Sequence, residues 1–161
     1  MNQNTYHTSE EQNELTTDQA HASRRGGNQP IVSGPSNAFV AVSWTMLLVG
    51  MTAYFIGLYN ATMALNEKGY YFTIIMFGLF SVVSVQKSVR DRLEGVPVTD
   101  IYYGISWFAA ILSITLLTIG LWNAQLSLSE KGFYSMSFLL SMFSAIAVQK
   151  NTRDRQAVET R

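Results

Sequence analysis

Four stretches of this chain carry no charged residue and no histidine: residues 39 to 59, 70 to 86, 101 to 122 and 133 to 149. "FVAVSWTMLLVGMTAYFIGLY" (39 to 59) and "IYYGISWFAAILSITLLTIGLW" (101 to 122) are each about 21 residues long, enough to cross a hydrocarbon core of about 30 Å as a helix. The other two have 17 uncharged residues each, the lower limit for a span. Their flanks extend them: Gln and Lys at one end can snorkel, and the pairs Tyr70-Tyr71 and Phe133-Tyr134 suit the opposite interface. A soluble four-helix bundle needs a charged outer face, and none of these runs supplies one. The expected fold is all-α, with four transmembrane helices.

The chain is also an internal duplication. "VQKSVRDR" at 85 to 92 returns as "VQKNTRDR" at 148 to 155, and an offset of 63 aligns 44 to 92 with 107 to 155 without a gap, with 20 of 49 positions identical. Trp44 matches Trp107, "IGLYNA" matches "IGLWNA", and "EKG" at 67 to 69 matches "EKG" at 130 to 132. Asn37 aligns with Asp100, both good helix N-caps following proline-containing sequence. The organisation read from this is a polar tail over 1–38, a two-helix repeat over 39–92, a linker over 93–100, a second repeat over 101–155 and a short tail over 156–161. Two crossings bring the chain back to the same side, so the repeats are expected to run parallel, related by an axis along the membrane normal.

Charge placement orients them. Nine of the eleven Lys and Arg residues lie in the tail (Arg24, Arg25), the centre (Lys87, Arg90, Arg92) and the C-terminus (Lys150, Arg153, Arg155, Arg161), leaving Lys68 and Lys131 in the hairpin turns. The positive-inside rule then puts both termini in the cytoplasm, with Lys87, Arg90, Arg92, Lys150, Arg153 and Arg155 as cytoplasmic anchors. The alternative reading of these two segments, a specific anionic-lipid or partner site, is weakened because Asp91 and Asp154 offset part of that charge.

Several function classes drop out. The tail has too few apolar residues to repay ordering entropy, so disorder is expected there, and it lacks the layout of a signal peptide. Arg24 and Arg25 are followed by "GGNQP" and no cleavage site, which argues against a twin-arginine signal. The absence of cysteine removes disulfides and thiolate chemistry. Eleven acidic residues balance eleven basic ones, and the basic segments are too short and mixed in sign for nucleic acid. His7 and His21 sit in the tail, and no nucleotide loop or metal-ligand spacing occurs. Neither an enzyme nor a cofactor or metal is expected.

Two patterns remain. Reading the first helix of each repeat every seven residues gives Ser43, Gly50, Gly57 and Ala64, then Ser106, Ser113, Gly120 and Ser127. Such a row of small residues lets backbones approach closely, which drives helix association in lipid. It predicts that the first and third helices pack through this stripe, on each other or on their hairpin mates. On the same face Asn60 and Glu67 are seven apart, as are Asn123 and Glu130. If those helices run on to Lys68 and Lys131 and end at Gly69 and Gly132, Asn60 and Asn123 lie about 13 Å from the turn. The four residues then form either interhelical hydrogen bonds or a small outward-facing polar site for a cation or polar solute.

"GLYNATMALNEKGYY" and "GLWNAQLSLSEKGFY", each followed by "VQK" and "RDR", resemble the YiaA/YiaB family of small bacterial inner-membrane proteins, whose unit is a two-helix domain. The likeness covers 39 to 155. It implies a multi-pass inner-membrane protein without an assigned activity, and the tail at 1 to 38 does not match the family pattern. The leading expectation is a structural or regulatory component embedded in the lipid bilayer, acting through helix packing and contacts with a second copy or another membrane protein. The alternative is a small transporter or channel, weakened because no span carries an ionisable residue at its midplane.

Overall fold

The computed structural model describes residues 34–159. The expected disorder of the tail therefore falls, up to residue 33, outside the described residues. Four helices follow in chain order: α1 (Asn37–Asn60), α2 (Leu65–Leu93), α3 (Asp100–Asn123) and α4 (Leu128–Glu159). Each is long and apolar enough to cross a membrane, with mean hydropathy of 1.8, 1.6, 1.9 and 1.3 over its most apolar stretch.

The helix boundaries differ from the sequence expectation in an informative way. α1 stops at Asn60 and α2 begins at Leu65, so Gly69 and Gly132 lie inside the first turns of α2 and α4 and end nothing. Among the described residues only Gly95, between α2 and α3, has positive φ. Ala64 and Ser127 consequently sit in the turns and not on the small stripe. The second helices are 29 and 32 residues long, well beyond a marginal span. At the opposite end the caps are Ser36 and Thr99, one residue ahead of the expected Asn37 and Asp100. Ser36 Oγ accepts the Phe39 amide at 3.2 Å.

The larger surprise is which helices meet. α1 packs along α4 and α3 along α2, so each first helix lies on the second helix of the other repeat, while α2 and α4 touch at the centre and α1 meets its hairpin mate only slightly. The repeats are interleaved. The stripe sets these contacts, though against neither partner expected from sequence. A Cβ added at Gly50 would stand 2.7 Å from Ser141 Oγ and 3.0 Å from its backbone nitrogen, and one at Gly57 would stand 2.8 Å from the Phe133 ring. The second interface repeats the arrangement with one exchange. Ser113 on α3 faces Gly78 on α2, whose added Cβ would lie 3.4 Å from Ser113 Oγ and 2.8 Å from the Phe138 ring. A Cβ at Gly120 would lie 2.7 Å from the Tyr70 ring.

At each crossing, then, one helix contributes glycine and the other serine, with the roles swapped between repeats. Such close approach gains dispersion contacts where lipid leaves no hydrophobic drive between helices. The core so formed is filled by Tyr54, Ile75 and Phe138, all fully buried, with Tyr71, Ile74, Leu117 and Tyr134 around them. Tyr71 and Tyr134, equivalent by the repeat, stack at 6.0 Å between centroids, and Tyr54 Oη donates to the Tyr71 carbonyl at 3.0 Å.

Candidate functional site

At the turn end, the four polar residues of the candidate site serve their own helix ends. A helix leaves its last four carbonyls and first four amides unpaired. Asn60 and Asn123 each donate Nδ2 to the carbonyl four residues back, Ile56 and Ile119, at 2.9 Å. Lys68 and Lys131 reach back from the next helix to the Tyr59 and Trp122 carbonyls at 2.9 and 3.3 Å, placing a cation at the negative end of the helix dipole. Glu67 accepts the Ala64 amide at 2.9 Å. Glu130 accepts both the amide and the hydroxyl of Ser127, at 2.8 and 2.7 Å, while Ser127 Oγ accepts the Glu130 amide at 3.3 Å. That is a reciprocal capping box. Ala64 has no side-chain acceptor, so the first repeat keeps only the carboxylate half.

Because α1 ends at Asn60, Asn60 and Glu67 do not share a helix, and neither do Asn123 and Glu130. Interleaving makes a different pairing: Glu67 and Asn123, from different repeats, line one open pocket of 330 Å³ with Asn66, Tyr70, Tyr71 and Gly120. Tyr70 ties its walls together, donating Oη to the Leu116 carbonyl at 2.7 Å. No group of His, Asp and Glu among the described residues is arranged to hold a metal ion.

At the basic end the six anchors divide, with Lys87 exposed on α2. Arg90 pairs with Glu94 and holds that carboxyl below the usual carboxylate range. Lys150 pairs with Asp154 at 3.1 Å. Arg92 binds Asp100 and lies 4.0 Å over the Tyr103 ring, and the equivalent Arg155 donates to Asn37. These last two contacts fasten the ends of α2 and α4 to the starts of α3 and α1. Beneath them Asn151, fully buried, donates to Ser43 Oγ at 2.9 Å, a bond worth about 0.6 kcal/mol by the average for membrane interiors. Arg153 stands apart: its Nη1 is buried with no hydrogen-bond partner, as are Gln86 Oε1, Gln149 Oε1 and Asn151 Oδ1.

Sequence reasoning overlooked Gly78 and Ser141, the two lysine caps, Asn151 and the capping box. Two of these were legible. "SLSE" at 127 to 130 has the Ser-x-x-Glu spacing of a helix start, and the offset of 63 sets Gly78 opposite Ser141 just as it sets Gly50 opposite Ser113.

The comparisons with known proteins agree with the duplication. The family model for the yiaA/B two helix domain matches twice, over 39–91 and 102–154. Inner membrane protein YiaA of Escherichia coli (strain K12) is 56% identical over 123 residues, 76% of this chain and 85% of that protein. Inner membrane protein YiaB of the same strain is 28% identical over 105 residues, 63% of this chain and 87% of that protein. A membrane protein of Bacillus subtilis (strain 168), YubF, is 36% identical over 58 residues, 35% of this chain and 67% of that protein. No solved structure matches. With two copies of the domain accounting for all four spans, this chain is a multi-pass membrane protein and belongs to the YiaA/B two-helix-domain family.

Proposed function

We propose that the protein is a structural or regulatory component of the bacterial inner membrane, with both termini in the cytoplasm, acting through contacts with partners in and at the bilayer. The names of its relatives, the E. coli inner membrane proteins YiaA and YiaB, support the location. The observation that carries the role is the solid centre of the bundle. Tyr54, Ile75 and Phe138 fill it without exposure, and the buried serines Ser81 and Ser141 spend their hydroxyls on their own helices, on the Phe77 and Ser137 carbonyls. Such a core favours a rigid block over an alternating-access machine, which needs a polar site near midplane. The repeated Asn, Glu and Lys residues, engaged in building turns, fit the same reading.

A second reading, a small transporter or channel, draws support from the open pocket holding Glu67, Asn123 and Tyr70. Crosslinking in native membranes followed by purification separates the two. A partner recovered in fixed stoichiometry is the expected result. A protein that purifies alone and carries ions or a polar solute across reconstituted vesicles would replace the first reading with the second.

A further inference from the structure

Interleaving leaves α3 and α4 splayed, although they are neighbours in the chain. Between them, floored by α2, lies an open groove of 830 Å³, inside the range of roughly 300–1,000 Å³ typical of ligand pockets. Its walls are apolar, with Val85 and Val89 from α2, Ala110 and Ile114 from α3, and Leu140 and Ile146 from α4. In a bilayer such a cleft faces acyl chains. The two repeats are not equivalent here: the offset of 63 sets Ala110 against Leu47 and Leu140 against Phe77. Leu47 packs on the core, so the second repeat carries the smaller residue at both positions.

The groove points toward the basic end. Gln86 lines it and leaves Oε1 buried and unpartnered. On α4, Lys150 and Arg153 follow Ile146 by four and seven residues, on the same helix face, with Arg153 about 10 Å further along at 1.5 Å per residue. On α3, Trp107 lines the groove, and one turn beyond it Tyr103 holds Arg92 over its ring. Arg90 is matched by Glu94, Lys150 by Asp154 and Arg92 by Asp100. Arg153 lies within electrostatic reach of Arg90, Glu94, Asp91 and Asp154, yet its Nη1 has no partner. Among the described cations at this end, Arg153 is the one whose guanidinium leaves a buried nitrogen without a partner. A phosphate oxygen is the acceptor that suits it best, in charge and in fork geometry, and basic sites between spans at the membrane surface take anionic headgroups.

We propose that the groove between α3 and α4 holds an acyl chain of one anionic phospholipid from the leaflet on the basic side, with its phosphate on Arg153 and, secondarily, Lys150.

The test is native mass spectrometry of the full chain released from vesicles of equal parts phosphatidylglycerol and phosphatidylethanolamine. Wild type should retain one phosphatidylglycerol in preference to phosphatidylethanolamine. Arg153→Gln should lower that retention about fivefold, the effect of one cation near the membrane surface. Lys87→Gln, the same loss of charge at the equivalent of Lys150 in the first repeat, should leave it unchanged. The double variant Ala110→Leu with Leu140→Phe borrows residues the other repeat already accommodates and should abolish retention. If it fails to fold, the contrast of Arg153→Gln with Lys87→Gln still decides. Equal losses in those two variants would mean diffuse surface charge and overturn the site. So would wild-type retention in the filled variant, absence of a headgroup preference, or a lipid-free dimer that the filled variant dissociates, which would assign the groove to a second copy.

Discussion

Individual glycines in this chain have opposite jobs, and only their surroundings separate them. Gly50 lies where α1 crosses α4, and a Cβ there meets both the hydroxyl and the backbone nitrogen of Ser141. Gly57 meets an aromatic ring, which can swing aside. Gly69 and Gly132 meet nothing within 4 Å and sit in helical turns with negative φ, where glycine costs up to about 1 kcal/mol relative to alanine. The expected order follows. Gly50→Leu should lower the melting temperature in detergent most, by the equivalent of about 1–3 kcal/mol of overpacking, and Gly57→Leu less. Gly69→Ala and Gly132→Ala should raise it or leave it unchanged. A loss at Gly69 comparable to that at Gly50 would restore the C-terminal glycine that the spacing suggested. Leu58 and Leu121 are poor controls for such a series because both are buried in the core. Ile56 and Ile119, more than half exposed at 56% and 51%, serve better.

At the level of elements, sequence identified all four helices, because a run without charge is a property of composition that no tertiary contact needs to reveal. Their ends were harder. Reading Glu67 and Lys68 as the tail of the first helix ignored what an acidic residue contributes near a helix start and a lysine near the preceding helix end. The segment belongs to both helices: Glu67 caps α2 while Lys68 caps α1. That double use also bears on orientation, since Lys68 and Lys131 are half-buried caps and not free charges at the surface. The proposed topology rests instead on the basic clusters at the opposite ends. Single cysteines in this cysteine-free chain can check it. Asn66→Cys and Ser129→Cys, both exposed in the turns, should react with a membrane-impermeant maleimide in intact cells, whereas Val96→Cys, 47% exposed between α2 and α3, should react only after lysis. Labelling at position 96 alone would reverse the orientation. Ser88 would be uninformative, being fully buried.

For the whole molecule, the duplication was plain in the sequence but the pairing of its halves was not. A stripe of small residues specifies close approach without naming the partner, because Ser137, Ser141 and Ser144 on α4 and Gly78, Ser81 and Ser84 on α2 offer equally small faces. The same ambiguity kept the outer pocket from view, since Glu67 and Asn123 come together only when repeats interleave. The choice is made by successive levels of contact along each interface. On α1 and α4 these are Ser43 with Asn151, Gly50 with Ser141 and Gly57 with Phe133. A chain built this way holds its halves together by its strongest interfaces, and the link over residues 94 to 99 should be dispensable once both halves are inserted. Each half has two spans and can enter the membrane by itself, before helices associate. Expressed as separate polypeptides covering residues 1–96 and 97–161, the halves should therefore copurify in mild detergent as a one-to-one complex. Gly50→Leu in the first half should weaken that complex without preventing insertion, because it strikes the α1–α4 interface alone. Were α1 instead to prefer α2 in the way of an ordinary hairpin, each half would purify as a stable monomer and the Gly50 substitution would leave both untouched. The interleaved bundle predicts the opposite for the isolated first half. Lacking α4, its α1 can satisfy the Gly50 face only on the Gly78 face of another copy's α2, so it should form a homodimer that the second half dissociates on mixing.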